Sequence, residues 1–371
     1  MSNLFNKCKV LSIFFILTGA FNTAFAVEGF ANQPGTRALG LAGAFTALAD
    51  DASAIWYNPA ALAHYDFIES DFTIELGQRI ISQDENSSNN SITTESLLKY
   101  AAVYTRNPLI LNKKLPIGIG ASYFSPYKMK IEIDAPQSAL TDRIFGEIDA
   151  TYHQVSSMIN YSVSPKLSLG GTIDFIWLNI NCFAYSPCVD KGPTGFGATF
   201  SGLYELIRNK DYTIRIGANW RSTAKLYYRN TPSSGIGTVL TDYIPDRPDT
   251  KNIGISLQYP TFWALINTNL ILENVSWSSS NKRGKPLYDY QNIGSSIELL
   301  SVTQSGKSYA IRFGSKLLNN KTTGIYEYAI ATFGAGYEFK KGHLIDIAYE
   351  YKKLRKIDIN TNTWSISYSW Q

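Results

Sequence analysis

Apolar and polar residues alternate along much of the chain. In residues 167–175, for example, odd positions carry Leu, Gly, Ile or Phe, whereas even positions carry Ser, Gly, Thr or Asp. The same period of two returns in residues 214–221, 345–351 and 364–370. Because successive side chains of a β-strand point to opposite faces, each segment is predicted to be a strand with one apolar and one polar face.

From residue 67 onward this pattern predicts fourteen strands. They lie near residues 67–81, 96–106, 116–130, 147–163, 166–180, 195–207, 211–228, 249–260, 263–278, 291–301, 306–318, 326–339, 343–353 and 362–371. With this count the very short connectors fall at one end of the strands and most long polar connectors at the other. Transmembrane β-barrels have this arrangement and an even number of strands.

Alternation alone does not decide whether the apolar faces point to lipid or to a protein core, as in a soluble two-layer sandwich. The polar faces carry charges and small residues, which suits a wet lumen, and Trp and Tyr cluster near the strand ends. After the N-terminal region, the chain has no run of 18 apolar residues for a transmembrane helix. The predicted fold class is therefore all-β, a 14-stranded antiparallel transmembrane β-barrel formed by residues 67–371.

The first 26 residues have the order of a cleaved signal peptide. Lys7 and Lys9 precede an apolar run at 10–17, and the small-residue exit Ala24-Phe25-Ala26 comes next. An uncleaved anchor is the alternative, but the run is too short to cross about 30 Å of hydrocarbon. Together with the barrel, this region predicts export to the outer membrane of a Gram-negative bacterium.

Composition and charge narrow the range of functions. The excess of 24 Tyr and 7 Trp over 3 Met suits rings at a membrane surface. A formal net charge of +4 is too small to indicate a nucleic-acid partner. Because His64, His153 and His343 do not lie at ligand spacing, we expect no metal and no cofactor. Cys182 and Cys188 predict a loop disulfide in an oxidising compartment, with two free thiols as the alternative.

Residues 27–66 do not alternate. Leu39, Leu41, Phe45 and Leu48 lie at helical spacing, and Asn58-Pro59 breaks the short run that begins at Ile55. The stretch is too apolar for a free tail, so it either packs on the outside or base of the barrel or fills the lumen as a hatch. Because eight strands already enclose a packed interior, fourteen leave room that favours the hatch.

The same stretch carries a resemblance to a known family. The run from Gly35 to Phe45, GTRALGLAGAF, is succeeded by the ADDAS sequence at 49–53 and by the hatch motif Asn58-Pro59-Ala60. These residues resemble the start of FadL-like outer-membrane transport proteins, which include transporters of long-chain fatty acids and aromatic hydrocarbons. The resemblance implies a fourteen-stranded barrel whose N-terminal 40 or so residues form a hatch. The motif also resembles PorV-like proteins of protein secretion and surface attachment, which remain the alternative function.

The resemblance further implies that an apolar ligand leaves sideways, through a gap at a kinked third strand. In this chain the third strand contains Gly118, Gly120 and Pro126. Proline cannot donate to a β-ladder, so Pro126 predicts a bulge or an interrupted pair, and these three residues are candidates for the wall opening. The alternative is that Pro126 lies above the membrane, where the strand merges into a loop.

Ligand contacts are predicted from the chemistry of an apolar cargo. Leu41, Phe45, Ile55 and Trp56 of the hatch supply apolar lining, and Arg215, Arg221 and Arg312 supply cations that a carboxylate head group would meet. The alternative for the apolar residues is packing within the hatch. For the arginines it is pairing with Asp174, Asp346 or Glu350.

An enzyme is the remaining alternative. No G-x-S-x-G elbow is present, and no His stands beside an evident Ser or Asp partner, so no catalytic residues are predicted. The expected function is passive uptake of hydrophobic compounds such as long-chain fatty acids by a monomer. The expected partners are a hydrophobic small molecule or lipid, outer-membrane lipids and lipopolysaccharide.

Overall fold

The computed structural model describes most of the chain. The described residues are 30–31, 34–64, 73–84, 98–106, 109–110, 113–114, 117–136, 143–183, 192–228, 245–278, 289–303, 306–321, 325–354 and 360–370. The predicted signal peptide, residues 1–26, lies outside them, and so does Cys188. Cys182 lies in a strand, opposite Ile148. Signal cleavage and the disulfide therefore stay predictions.

Fourteen strands form the wall, and the third consists of two segments, β3a and β3b. Their bounds are β1 Thr73–Asp84, β2 Leu98–Arg106, β3a Ile117–Phe124, β3b Tyr127–Pro136, β4 Arg143–Ser164, β5 Leu167–Phe183, β6 Thr194–Arg208, β7 Thr213–Arg221, β8 Asp249–Pro260, β9 Leu265–Ser276, β10 Tyr290–Val302, β11 Ser308–Asn320, β12 Ile325–Lys340, β13 His343–Leu354 and β14 Asn360–Trp370. Short additional pieces lie at Phe30–Ala31, Leu109–Ile110, Lys113–Lys114 and Leu226–Tyr227.

Every wall strand pairs antiparallel with its neighbours in sequence. The last strand also pairs with the first, in a register that runs from Asn360↔Asp84 to Trp370↔Ile74. The pairing therefore passes around all fourteen strands, and the predicted fold class is confirmed. Of the described helices, none has the length and apolar character needed to cross a membrane.

The polarity of the two faces of this sheet is the reverse of that in a soluble protein, whose apolar side chains lie inside. Large apolar side chains are exposed on the outward face, for example Ile173 at 68% and Phe196 at 67%. Charged side chains such as Asp174, Glu298 and Arg312 are buried on the inward face. The apolar faces are thus available to lipid, as predicted from the alternation together with the charged polar faces and the aromatic strand ends.

Where the structure describes them, most predicted strands agree with the observed ones to within a few residues at their ends, whereas the third strand runs on to Pro136. Two strands are interrupted. The predicted strand at 211–228 is interrupted after Arg221, and only Leu226–Tyr227 continues it. The predicted strand at 116–130 is interrupted at residues 125–126. In both cases the register with a neighbouring strand shifts by one residue across the interruption, which is the signature of a bulge.

Residues 34–64 form a compact segment with little regular structure. Helix α1 covers Thr36–Gly40, helix α2 covers Ala54–Tyr57, and a 3-10 helix covers Pro59–Ala63. The helical spacing predicted for Leu41, Phe45 and Leu48 extends beyond α1, and there the chain forms turns instead. A non-glycine residue with positive φ, Ala42 at 51°, stands at this transition beside Gly43 at 72°. Nearly all of the segment is buried against the inward face of the wall.

Candidate cargo chamber and wall interruption

Wall glycines allow the backbone of residues 34–64 to approach the strands closely. A Cβ atom on Gly170 would lie 2.6 Å from the backbone N of Ala60, and one on Gly314 would lie 2.6 Å from the backbone C of Leu41. Gly217, Gly254 and Gly334 face the segment in the same way. These glycines lie on β5, β7, β8, β11 and β12, so the segment is held from several sides.

The hatch motif fastens the segment to β4 and β6. The Asn58 side chain donates to the backbone O of Thr46 at 2.8 Å and to that of Gly202 at 3.1 Å, and it accepts from the Ala60 N–H at 3.2 Å. Asn160 of β4 donates to the carbonyl of Pro59 at 2.8 Å. The motif is therefore a set of structural contacts, as expected of an Asn before Pro.

Charged residues fasten the other end of the segment. Arg37 donates to both oxygens of Glu298 at 2.8 Å and is paired with Asp50. Glu298 also accepts from the Arg312 Nε at 2.7 Å, and Arg312 is bonded to Asp346. Arg312, predicted as a ligand contact, is therefore part of a buried ion-pair network, which was the alternative for this residue.

Arg215 is likewise engaged with the wall. It donates to Gln258 of β8, and its Nε lies 3.4 Å from Glu205. Glu205 also lies 3.0 Å from the His64 Nε2 and 2.6 Å from the Arg208 Nε. This group of charges ties the end of the N-terminal segment to β6.

Two predicted lining residues, Leu41 and Phe45, pack inside the segment and against the wall. The Phe45 ring contacts the Tyr57 ring edge-on at 5.5 Å and lies 5.4 Å from the Arg37 guanidinium. Leu41 is fully buried beside Gly314. Both residues therefore pack within residues 34–64 and against the wall.

Trp56 lies instead in a cluster of aromatic rings, which we call the aromatic chamber: Trp56, Phe124, Tyr127, Tyr152 and Trp277. Trp56 meets Phe124 edge-on at 4.5 Å, and Tyr127 meets Tyr152 at 5.7 Å and Trp277 at 5.4 Å. Ile176, Leu178 and Leu226 belong to the same buried apolar cluster. Ile55 belongs to the same cluster, and a Cβ on Gly120 would be 3.1 Å from the Ile55 Cδ1.

Arg221 is the cation of the chamber. Its guanidinium lies over the Trp56 ring, 3.1 Å from the centroid, and donates to the Trp56 carbonyl at 2.8 Å. The side chain is buried, and among the described residues its Nε has no hydrogen-bond partner and no carboxylate is within ion-pair distance. The chamber therefore combines ring faces with a buried donor, as suits an apolar molecule that carries one acceptor group.

A second buried arginine braces the wall beside the chamber. Arg247 donates to Asp174 at 2.6 Å, to Gln154 at 3.0 Å and to the Ser222 carbonyl at 2.9 Å. It thereby joins β4, β5 and the end of β7. Sequence reasoning missed this role because residue 247 falls in a predicted loop. The alternation in β5 did mark Asp174 as inward and in need of a partner.

The wall is interrupted next to the chamber, at Ser125 and Pro126. The hydroxyl of Ser125 donates to the backbone O of Tyr152 on β4 at 2.9 Å, while Pro126 has no N–H to offer. On the other side, Tyr127 pairs with Ala31, and the described pairs between β2 and the third strand end at Phe124. Gly118 lies near the N-terminal end of β3a, where an added Cβ would lie 2.7 Å from the Tyr104 ring. Gly118, Gly120 and Pro126 thus stay candidates for an opening of the wall.

Residues 14–187 match the sequence model of a family described as outer membrane protein transport protein (OMPP1/FadL/TodX). Over this region the chain matches the FadL/TodX family. The predicted resemblance to FadL-like proteins is therefore confirmed. The members of this family are outer-membrane transport proteins and not enzymes. No curated protein is significantly similar to this chain in sequence.

Solved structures resemble this chain over nearly all of its length. The toluene transporter TbuX of Ralstonia pickettii has a TM-score of 0.59 at 17% identity, with 94% of this chain and 100% of that chain covered. The CymD monoaromatic hydrocarbon channel has a TM-score of 0.57 at 13% identity, with 94% and 99% covered.

A Pseudomonas aeruginosa FadL homologue has a TM-score of 0.51 at 12% identity, with 94% and 99% covered. At such identities these likenesses show the fold alone. The FadL-like family match gives no support to the PorV-like alternative.

Proposed function

We propose that the chain is an outer-membrane channel for passive uptake of hydrophobic small molecules in a Gram-negative bacterium. The aromatic chamber is the observation that carries this proposal. It joins five rings and the Arg221 guanidinium inside a wall whose outward face is apolar. Long-chain fatty acids and similar lipophiles have the required chemistry, an apolar body with one acceptor group at the end.

In this proposal residues 27–66 act as a hatch that blocks bulk solute. The close approach at wall glycines, the Asn58 contacts and the network around Glu298 all support a hatch that stays in place. Cargo then leaves the chamber through the wall, and the interruption at Ser125 and Pro126 is the proposed exit. The chain acts as a monomer without a cofactor, and its outward face contacts outer-membrane lipids and lipopolysaccharide.

Uptake by cells tests the proposal. Cells with and without the gene are given labelled dodecanoic acid and labelled toluene, and lipids retained by the detergent-purified protein are identified by mass spectrometry. Faster uptake of either compound with the gene supports the channel. Equal uptake together with no retained lipophile would overturn it.

A matched pair of tryptophans tests the place of the cargo. Trp277 lies in the chamber, whereas Trp364 is 51% exposed on the outward face of β14. Trp277→Ala is expected to lower uptake by about fivefold, the effect of losing about 1 kcal/mol of ring contact. Trp364→Ala is expected to leave it unchanged. Equal effects of the two substitutions would remove the chamber from the route.

A further inference from the structure

A second aromatic cluster lies on the outward face of the wall, behind the chamber. We call it the outer patch: Tyr123, His153, Trp177, Phe175 and Phe196. The Tyr123 hydroxyl and the His153 Nδ1 are 2.9 Å apart. The His153 ring lies 6.0 Å from Tyr123 at an interplanar angle of 13°, and 5.2 Å from Trp177 at 17°. Phe175 extends the cluster to Phe196 on β6.

The outer patch and the chamber are separated by the thickness of the wall alone. Tyr123 precedes Phe124, and His153 comes after Tyr152, so each neighbouring pair places one ring outside and one ring inside. The interruption at Ser125 and Pro126 lies directly beside both pairs. Rings therefore line both sides of the wall where its pairing is interrupted.

The outer patch also lies at one end of the apolar face, the end away from the short connector between β4 and β5; we call this the upper end. On β5 the outward residues below it are apolar and include Ile173, whereas above Trp177 the exposed residues are Asn179 and Asn181. The ten-residue rise from Leu167 to Trp177 in a tilted strand spans about 25 Å, the height of a lipid-facing band. A molecule on the patch would thus stand at the boundary between hydrocarbon and head groups.

We propose that the outer patch is a second cargo subsite, on the membrane face of the wall, and that it takes flat apolar ring compounds. The inference rests on the proposed function, since it extends the route of the same cargo. Near-parallel rings on the outside offer offset stacking and the edge-on rings of the chamber offer edge-to-face contact, so a ring compound exchanges one aromatic environment for another. A flexible acyl chain gains less from such surfaces.

The opposite end of the barrel provides a matched control. There His343 lies 2.6 Å from the Tyr368 hydroxyl and is stacked on Trp370 at 6.2 Å and 16°. This cluster has the same chemistry but lies away from the interruption. If aromatic clusters serve only to hold the barrel in the membrane, Trp177 and Trp370 should behave alike.

The test compares uptake of naphthalene and of dodecanoic acid by cells that carry the wild type, Trp177→Leu, Trp177→Phe or Trp370→Leu. Folding of each variant is checked by its heat-modifiable mobility in gels. We expect Trp177→Leu to lower naphthalene uptake by about fivefold, with a smaller effect on dodecanoic acid. Trp177→Phe, which keeps a ring, and Trp370→Leu should retain wild-type rates.

Equal rates for Trp177→Leu and Trp370→Leu would overturn the subsite and leave lipid as the occupant of the patch. Equal losses for both compounds in Trp177→Leu would overturn the ring selectivity. Absence of gene-dependent uptake in the wild type would instead contradict the proposed function. Fluorescence quenching gives a direct measure. The contribution of each tryptophan to the emission is the difference between the wild type and Trp177→Phe or Trp370→Phe. Bromonaphthalene should quench the contribution of Trp177 more strongly than that of Trp370.

Discussion

The Ser125 hydroxyl donates a hydrogen bond of 2.9 Å to the backbone carbonyl of Tyr152, across the interruption of the third strand. This side-chain bond stands beside Pro126, which has no N–H for the ladder. One side chain therefore closes the wall at a place where the backbone cannot. The bond lies beside the aromatic chamber, because the Tyr152 ring is one of the chamber's rings.

Removing this bond should ease passage through the wall. A single hydrogen bond contributes about 1 kcal/mol, so Ser125→Ala is expected to raise the rate of toluene uptake by up to about fivefold. The matched control is Ser122→Ala, because the buried Ser122 hydroxyl has no hydrogen-bond partner among the described residues. Rates for Ser125→Ala at or below those of Ser122→Ala would show that passage does not depend on this closure.

Arg221 should matter for cargo with a head group and little for hydrocarbons. A hydrogen bond to a charged group contributes about 1.5–3 kcal/mol, so Arg221→Leu is expected to weaken retention of dodecanoic acid by at least about tenfold. Retention of toluene should change little. Binding to the purified protein is measured by scintillation, with Arg208→Gln as the control because the Arg208 side chain is half exposed outside the chamber. An equal loss for both compounds would assign Arg221 a structural role.

Close packing of residues 34–64 against the wall should be sensitive to one added methyl group. Because a Cβ on Gly170 would lie 2.6 Å from the Ala60 N, Gly170→Ala is expected to cost about 1–3 kcal/mol of unfolding free energy and to lower the melting temperature. On the next strand, a Cβ on Gly202 would meet no atom closer than the Leu169 Cδ2 at 3.6 Å, so Gly202→Ala should be tolerated. Thermal unfolding in detergent measures both. Equal melting temperatures would contradict the close approach.

The Glu298 network should hold the hatch against bulk solute. Glu298→Gln removes the carboxylate, so the buried Arg37 and Arg312 lose a counter-charge. Breaking a buried ion pair costs about 3–5 kcal/mol of stability. We expect higher ion conductance in planar bilayers. Glu350→Gln, a half-buried position on β13, is the control and should keep the low conductance of the wild type. Unchanged conductance in Glu298→Gln would show that the other contacts hold the N-terminal segment in place without this carboxylate.

Alternation along the chain determined the wall. A period of two is a local property, because consecutive side chains of a strand point to opposite faces whatever the strand pairs with. The number and approximate bounds of the strands could therefore be predicted. The orientation of their apolar faces toward lipid, and with it the inward position of Arg215, Arg221 and Arg312, also needed the charged polar faces and the aromatic strand ends. The hatch motif could be recognised from the spacing of a few residues in one segment.

Tertiary structure decided which inward residues meet and where the alternation fails. Continued from Ile117, the pattern would place Tyr127 on the outward face, but the irregularity at Ser125 and Pro126 turns its buried ring inward. A slip of one residue exchanges the two faces of a strand, so this bulge creates the chamber. The partners of Arg247 and Arg312 likewise lie on strands far away in sequence. Their pairing depends on the register of the whole barrel, which no local pattern specifies.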